Sequence, residues 1–274
     1  MPYAPIPAAG GQGLYYEDTG GVGPIVVFSH GFLMDRTMFA PQLAALQGLY
    51  RCITWDQRGH GRTATHRLSP FDFYDSANDL SDLLDFLGIK GAVLVGMSQG
   101  GFLTLRAALT NPNAASALIL LDTEADVMAP CLVPKNEGLL AAWIKGGLSE
   151  ELADIIAAQI IGPVLPGWGQ IPAWINVWTR TAFVNLIPSF NALIMRDNIT
   201  AFLGAISQPA LVVHGKEDKS IPFASGQAMA KALPHATFAS IPNAGHAACL
   251  THSAEVNPYI LNFLAQVAPT SPAR

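Results

Sequence analysis

The sequence predicts an α/β protein, a doubly wound and mostly parallel sheet with helices on both faces. Two observations carry that expectation. Its short apolar runs are continuous rather than alternating, as in strands buried on both faces. Longer amphipathic segments with helical spacing separate those runs.

The elements follow in order. Residues 1–13 are rich in Pro, Ala and Gly and lack the charged and apolar regions of a signal peptide. Pro24 then precedes the first run, Ile25 to Phe28, which is bounded by His30-Gly31. Arg51 to Trp55, Ala92 to Val95, Ala117 to Leu121, Ala210 to Val213 and a weaker Thr237 to Ile241 are the later runs. Helices are expected at Phe73–Leu87, which ends at the C-cap signal Gly88, and at Phe102–Leu109, Phe223–Leu233 and Ala254–Val267. Between Asp122 and Ile206 the alternation stops, and only helix-like pieces appear. From Ile155 through Met195 the single charged residue is Arg180. The division expected is a core of residues 1–122 and 207–274, with residues 123–206 inserted as a helical lid. Met128, Trp143, Trp168, Trp174, Trp178 and Phe183 of that insertion are the candidates for lining an apolar pocket.

Composition narrows the function. The chain has 274 residues, half of them hydrophobic and 13% charged, with a net charge of −5. That length suits one α/β unit with a large core. No Lys/Arg-rich run points to nucleic acid or to an anionic membrane surface. No apolar run reaches the roughly 18 residues of a membrane-spanning helix, so a soluble, cytoplasmic protein is expected. The three cysteines, Cys52, Cys131 and Cys249, are scattered and have no metal or disulfide spacing. No metal and no organic cofactor is expected, and nothing in the sequence sets an oligomeric state.

The chemistry centres on Gly96-Met97-Ser98-Gln99-Gly100. This is G-x-S-x-G, placed directly between an apolar run and a helical pattern. Such a turn forces the serine into a strained conformation and exposes its hydroxyl at the sheet tip, and the glycines relieve the crowding. A serine hydroxyl needs a base. Of seven histidines, His246 lies in a turn after the last run and before the last helix. His30 reads as structural, His60 and His214 as turn residues, His235 and His252 as surface or capping residues, and His66 as a loop residue. The base needs an orienting carboxylate, for which Asp218, after the fifth run, is chosen and Asp122, after the fourth, is the alternative. Two backbone N–H groups should form an oxyanion hole, those of Gln99 and Phe32.

These motifs resemble the α/β-hydrolase superfamily, and within it the small lidded esterases and lactonases similar to 3-oxoadipate enol-lactonase-like hydrolases. The resemblance rests on His30-Gly31, on Asp56 to Arg62, on the Ser98 elbow, on Gly215 through Asp218 and on Gly245-His246. It implies an eight-stranded, mostly parallel sheet, a bracing role for the Asp56–Arg62 turn, and hydrolysis of a small to medium, largely apolar ester or lactone. Serine at position 98 argues against the dehalogenases and epoxide hydrolases of this fold, which use aspartate there. Hydrolysis of another bond (carbon–carbon, thioester, amide), perhydrolysis, and a small-molecule receptor role stay open. Arg180 either holds a substrate carboxylate or, as favoured, pairs at the surface.

Overall fold

A computed structural model describes residues 3–6, 13–63 and 68–270; His66 lies outside them. Eight strands form one sheet: β1 (Tyr3–Ala4), β2 (Leu14–Asp18), β3 (Ile25–Ser29), β4 (Arg51–Trp55), β5 (Ala92–Met97), β6 (Ala115–Leu121), β7 (Ala210–Gly215) and β8 (Ala236–Ile241). Their spatial order is β1-β2-β4-β3-β5-β6-β7-β8. The pairs from β4 through β8 are parallel, and β1 and β2 add an antiparallel edge.

All six expected runs are strands. The continuous apolar sequence is divided residue by residue between two cores. Val26, Phe28, Val93 and Val95 face one, while Val27 and Leu94 face the other, the period of two that a strand imposes. The edge strands β1 and β2 went unpredicted. They are short, and part of β2 is exposed, so they carry no continuous apolar run.

The helices are α1 (Ala40–Leu46), α2 (Phe73–Phe86), α3 (Gln99–Thr110), α4 (Val133–Gly146), α5 (Glu150–Ile160), α6 (Ile171–Thr179), α7 (Phe183–Ile194), α8 (Phe223–Ala232), α9 (Ala248–Thr251) and α10 (Ser253–Val267). A reciprocal cap starts α2: Asp72 accepts from the Tyr74 and Asp75 N–H groups, and Asp75 accepts from the Asp72 N–H. Helix α3 begins three residues before the expected Phe102, because Ser98 itself is its N-cap. Helices α4 to α7 fill the stretch between β6 and β7. No helix among the described residues is long and apolar enough to cross a membrane.

The strand order reverses at β3, which has β4 on one side and β5 on the other. In an open parallel sheet, such a reversal leaves a crevice beyond the carboxyl ends of the strands. The residues that follow β3 and β5, namely His30 and Ser98, stand at that crevice.

Candidate active site

The site is assembled from strand ends. At the end of β5 the chain turns directly into α3, and Ser98 sits at the turn with φ 52° and ψ −118°. This is a conformation L-residues rarely adopt, with a strain of roughly 1–3 kcal/mol. Its surroundings hold it there. The Ser98 N–H donates to the Leu121 carbonyl at 3.0 Å, and the Ser98 carbonyl accepts from the Gly101 N–H and the Thr123 hydroxyl, each at 2.8 Å. The flanking glycines are required by space: a Cβ on Gly96 would fall 2.4 Å from the Gly100 carbonyl oxygen.

The turn after β8 brings His246 to this serine. The Ser98 hydroxyl donates to His246 Nε2 at 2.9 Å, and His246 Nδ1 donates to Asp218 Oδ2 at 2.8 Å. Asp218 comes from the turn after β7. Its other oxygen accepts the N–H groups of Ser220 (2.8 Å) and Ile221 (2.9 Å). Burial alone would raise its pKa, but the charge of His246 and hydrogen bonds from His214 and His246 hold it below the usual carboxylate range. Three residues far apart in the sequence thus form one hydrogen-bonded chain, in which the imidazole can take the serine proton.

Asp122, the alternative acid, lies close to Asp218 but is bonded to backbone amides. It has φ 46° and accepts the N–H groups of Gly215 (2.8 Å) and Ala248 (3.2 Å). Burial, and then the neighbouring Asp218 charge, push its pKa up to about 7. It ties the end of β7 to the start of α9.

His214, read from the sequence as a turn residue, is instead the fully buried penultimate residue of β7. Its Nε2 donates to the Ile221 carbonyl at 3.1 Å and lies 3.2 Å from Asp218 Oδ2. Asp122, His214 and Asp218 are, among the described residues, the one group of side chains close enough to hold a metal, with donor atoms within 4.8 Å of one another. Their carboxylates are already engaged by backbone N–H groups and imidazoles. His252, read as a surface or capping residue, is buried and is the N-cap of α10 without a side-chain cap bond.

The N–H of Gln99 opens α3, where the first four amides have no partner within the helix. Phe32 stands in the turn after β3, and this turn lies against the elbow: a Cβ on Gly31 would sit 3.5 Å from Ser98 Cβ. The Asp56–Arg62 turn braces the same region. The Asp56 carboxylate accepts from the Arg36 and Arg62 N–H groups and pairs with the Arg36 guanidinium at 3.0 Å.

A cavity of about 90 Å³ opens at Ser98 and His246. Trp143 and Met128 line it. Trp168, Trp174, Trp178 and Phe183 do not. Trp174 and Trp178 are buried in the hydrophobic core, where the Trp178 indole N–H donates to the Leu33 carbonyl at 2.8 Å; Trp168 packs against that core, and Phe183 is exposed. Leucines 139, 140, 186 and 193, with Ile156 and Ile160, supply much of the apolar wall that the sequence did not single out. Helical periodicity marks such residues as inward but cannot separate cavity from core.

Arg180 is exposed, outside the cavity, and in no ion pair among the described residues, so the expected surface pair is not found. The charged side chain at the cavity wall is Arg196. Its guanidinium pairs with buried Glu124 and stacks on Phe102, 4.4 Å from the ring centre.

An eight-stranded, mostly parallel sheet with a strained serine at the β5–α3 elbow is the architecture of a hydrolase class. Residues 26–258 match the profile of the Alpha/beta hydrolase family, and the chain belongs to that family. It is similar to a protein provisionally named carbamate hydrolase RutD of Yersinia enterocolitica, 29% identical over 92% of each chain. It is also similar to the bifunctional esterase/perhydrolase DCH of Acinetobacter calcoaceticus, 26% identical over 93% of this chain and 96% of that protein. Among solved structures, it is similar to a thermophilic esterase from Thermogutta terrifontis with malate bound. That likeness has a TM-score of 0.81 and 27% identity, over 93% of this chain and 94% of that one.

Proposed function

We propose that this protein is a serine hydrolase that cleaves a small, largely apolar carboxylic ester or lactone through an acyl-enzyme intermediate. The observation that carries the reading is the hydrogen-bonded chain from Ser98 through His246 to Asp218. In this mechanism His246 Nε2 takes the Ser98 proton as Oγ attacks the carbonyl carbon. The N–H groups of Phe32 and Gln99 hold the oxyanion. Asp218 keeps the proton on His246 Nδ1 and stabilises the imidazolium. His246 then protonates the leaving alkoxide, activates a water, and returns the proton to Ser98 as the acid departs.

The cavity supports a small acyl group. About 90 Å³ corresponds to roughly six water-sized positions, and its walls are mainly Leu, Ile, Met and aromatic side chains. Residues 123–206 act as the lid in this reading, since Met128, Trp143 and Phe190 from that stretch cover the crevice. The substrate is a small molecule. A protein that lies free of membranes, in the cytoplasm, fits the absence of a spanning helix among the described residues.

A pH-stat panel tests the proposal. It combines aryl esters, alkyl esters of rising chain length, five- to seven-membered lactones and a carbamate, with and without hydrogen peroxide, beside Ser98→Ala. Turnover of short esters or lactones that Ser98→Ala abolishes is the expected result. Activity retained by Ser98→Ala sinks the mechanism, and a carbamate ranked first changes the bond assigned.

A further inference from the structure

We propose that Gln57 is a positioning residue that fixes the spacing between the two amides of the oxyanion hole, an inference that rests on the assignment of Phe32 and Gln99 above. These two amides sit on separate elements, one in the turn after β3 and the other at the start of α3. No covalent connection sets their distance, yet both must point at one oxygen atom. Gln57, from a third element, the turn after β4, is hydrogen-bonded to His30 of the first element and to the Gln99 side chain of the second.

The bonds have a fixed polarity. Gln57 Nε2 donates to the His30 carbonyl, which can only accept. That leaves Gln57 Oε1 facing α3, where Gln99 Nε2 donates to it at 3.0 Å. The Gln57 N–H donates to His30 Nε2 at 3.0 Å, so the His30 proton is on Nδ1, which donates to the Gly31 carbonyl at 2.8 Å. One amide side chain therefore links the Gln99 side chain to the backbone of the His30–Phe32 turn. All three residues are buried, with exposures of 0% for His30, 1% for Gln57 and 3% for Gln99. The His60 ring packs edge-on against the same turn, 5.1 Å from the ring of His30 and 6.0 Å from that of Phe32. The tie is strong in its setting, because removing one partner leaves a buried polar group unpaired.

Geometry of this kind bears on the transition state more than on the bound substrate, since the oxyanion forms only as the carbonyl becomes tetrahedral. Gln57→Leu and Gln99→Leu each cut the tie, and Gln99→Leu keeps its own backbone N–H. With 4-nitrophenyl acetate, each is expected to lower kcat by about 10–100-fold, below the roughly 10²–10³ of losing a donor outright, with KM changed less than about twofold. The inhibition constant of butylboronic acid, whose tetrahedral adduct on Ser98 presents an oxygen to the hole, should rise in step with the fall in kcat. The double variant should be little worse than either single one, because both remove the same tie.

Unchanged kcat and boronate affinity in folded Gln99→Leu, whatever its thermal midpoint, would overturn the proposal and leave a packing role. Fully additive losses would also overturn it. Should Gln57→Leu fail to fold, Gln99→Leu and its boronate titration decide alone. A wild-type rate that survives Ser98→Ala is a different failure, that of the serine mechanism itself.

Discussion

Asp218 Oδ2 faces two imidazoles, His246 Nδ1 at 2.8 Å and His214 Nε2 at 3.2 Å, whereas Asp122 faces backbone amides. The two aspartates therefore answer differently to the same substitution. Asp218→Asn places an amide where the carboxylate held the His246 proton, and kcat should fall by about 10³–10⁴ with the fold intact. Asp122→Asn leaves His246 its partner but weakens one of two buried backbone bonds. It should lower stability by about 1–3 kcal/mol and kcat by less than about tenfold. Steady-state kinetics and urea melts on both variants check this; the reverse ranking would move the acid to Asp122. At this scale the sequence reveals residues whose position is written in the backbone pattern. Ser98 sits between glycines after an apolar run, and His246 follows the last run. It does not reveal Gln57, His214 or Arg196, whose importance depends on partners 42, 4 and 72 positions away.

Elements were legible wherever local pattern and tertiary burial agree. The strands from β3 to β7 are buried along nearly their whole length, which keeps their apolar runs continuous, while β8, partly exposed at the sheet edge, has the weaker run, and α2 carries its cap in its own sequence. The segment between β6 and β7 was legible as helix but not as surface. Trp174 and Trp178 are as apolar as the residues of neighbouring helices that line the cavity, and only packing assigns them to the core. Glycines separate the two kinds of information sharply. Gly100 opens α3 against β3, and a Cβ there would fall 2.0 Å from the Ser29 carbonyl oxygen. Gly138 lies in α4 with nothing within 4 Å of such an atom. Alanine is the better helix former at both sites by about 0.5–1 kcal/mol. Gly138→Ala should therefore raise the urea midpoint slightly. Gly100→Ala should instead lower stability by more than about 2 kcal/mol and abolish activity, since α3 cannot approach the sheet. A melt in which the two alanines act alike would contradict this packing of the elbow.

The molecule as a whole keeps two histidines neutral behind the site. Burial lowers the His30 pKa to about 4 and that of His60 to about 3. Free histidine titrates near about 6.5. Between pH 4 and 6.5, then, the unfolded chain binds two protons that these groups refuse in the fold. Asp122 works the other way, since its pKa of about 7 means the fold holds a proton that the unfolded chain has lost above about 3.9. His30 and His60 thus contribute a stability that grows as pH rises from 4 to 6.5, while Asp122, with Asp56, Asp79, Glu124 and His214, whose pKa values are also raised in the fold, contributes in the opposite sense. The calorimetric midpoint of His60→Gln, relative to the wild type, should therefore be higher at pH 4.5 than at pH 6.5, and a difference independent of pH over that range would contradict a His60 kept neutral by burial.

Acylation of Ser98 Oγ, on which the proposed mechanism turns, is open to covalent capture of that atom. The protein is incubated with an alkyl fluorophosphonate, its intact mass is measured, and the modified peptide is sequenced by tandem mass spectrometry. One phosphonyl adduct per chain is expected, on Ser98, with its rate depressed by Asp218→Asn and no adduct on Ser98→Ala. Labelling of another residue, or equal labelling of Ser98→Ala, would contradict it.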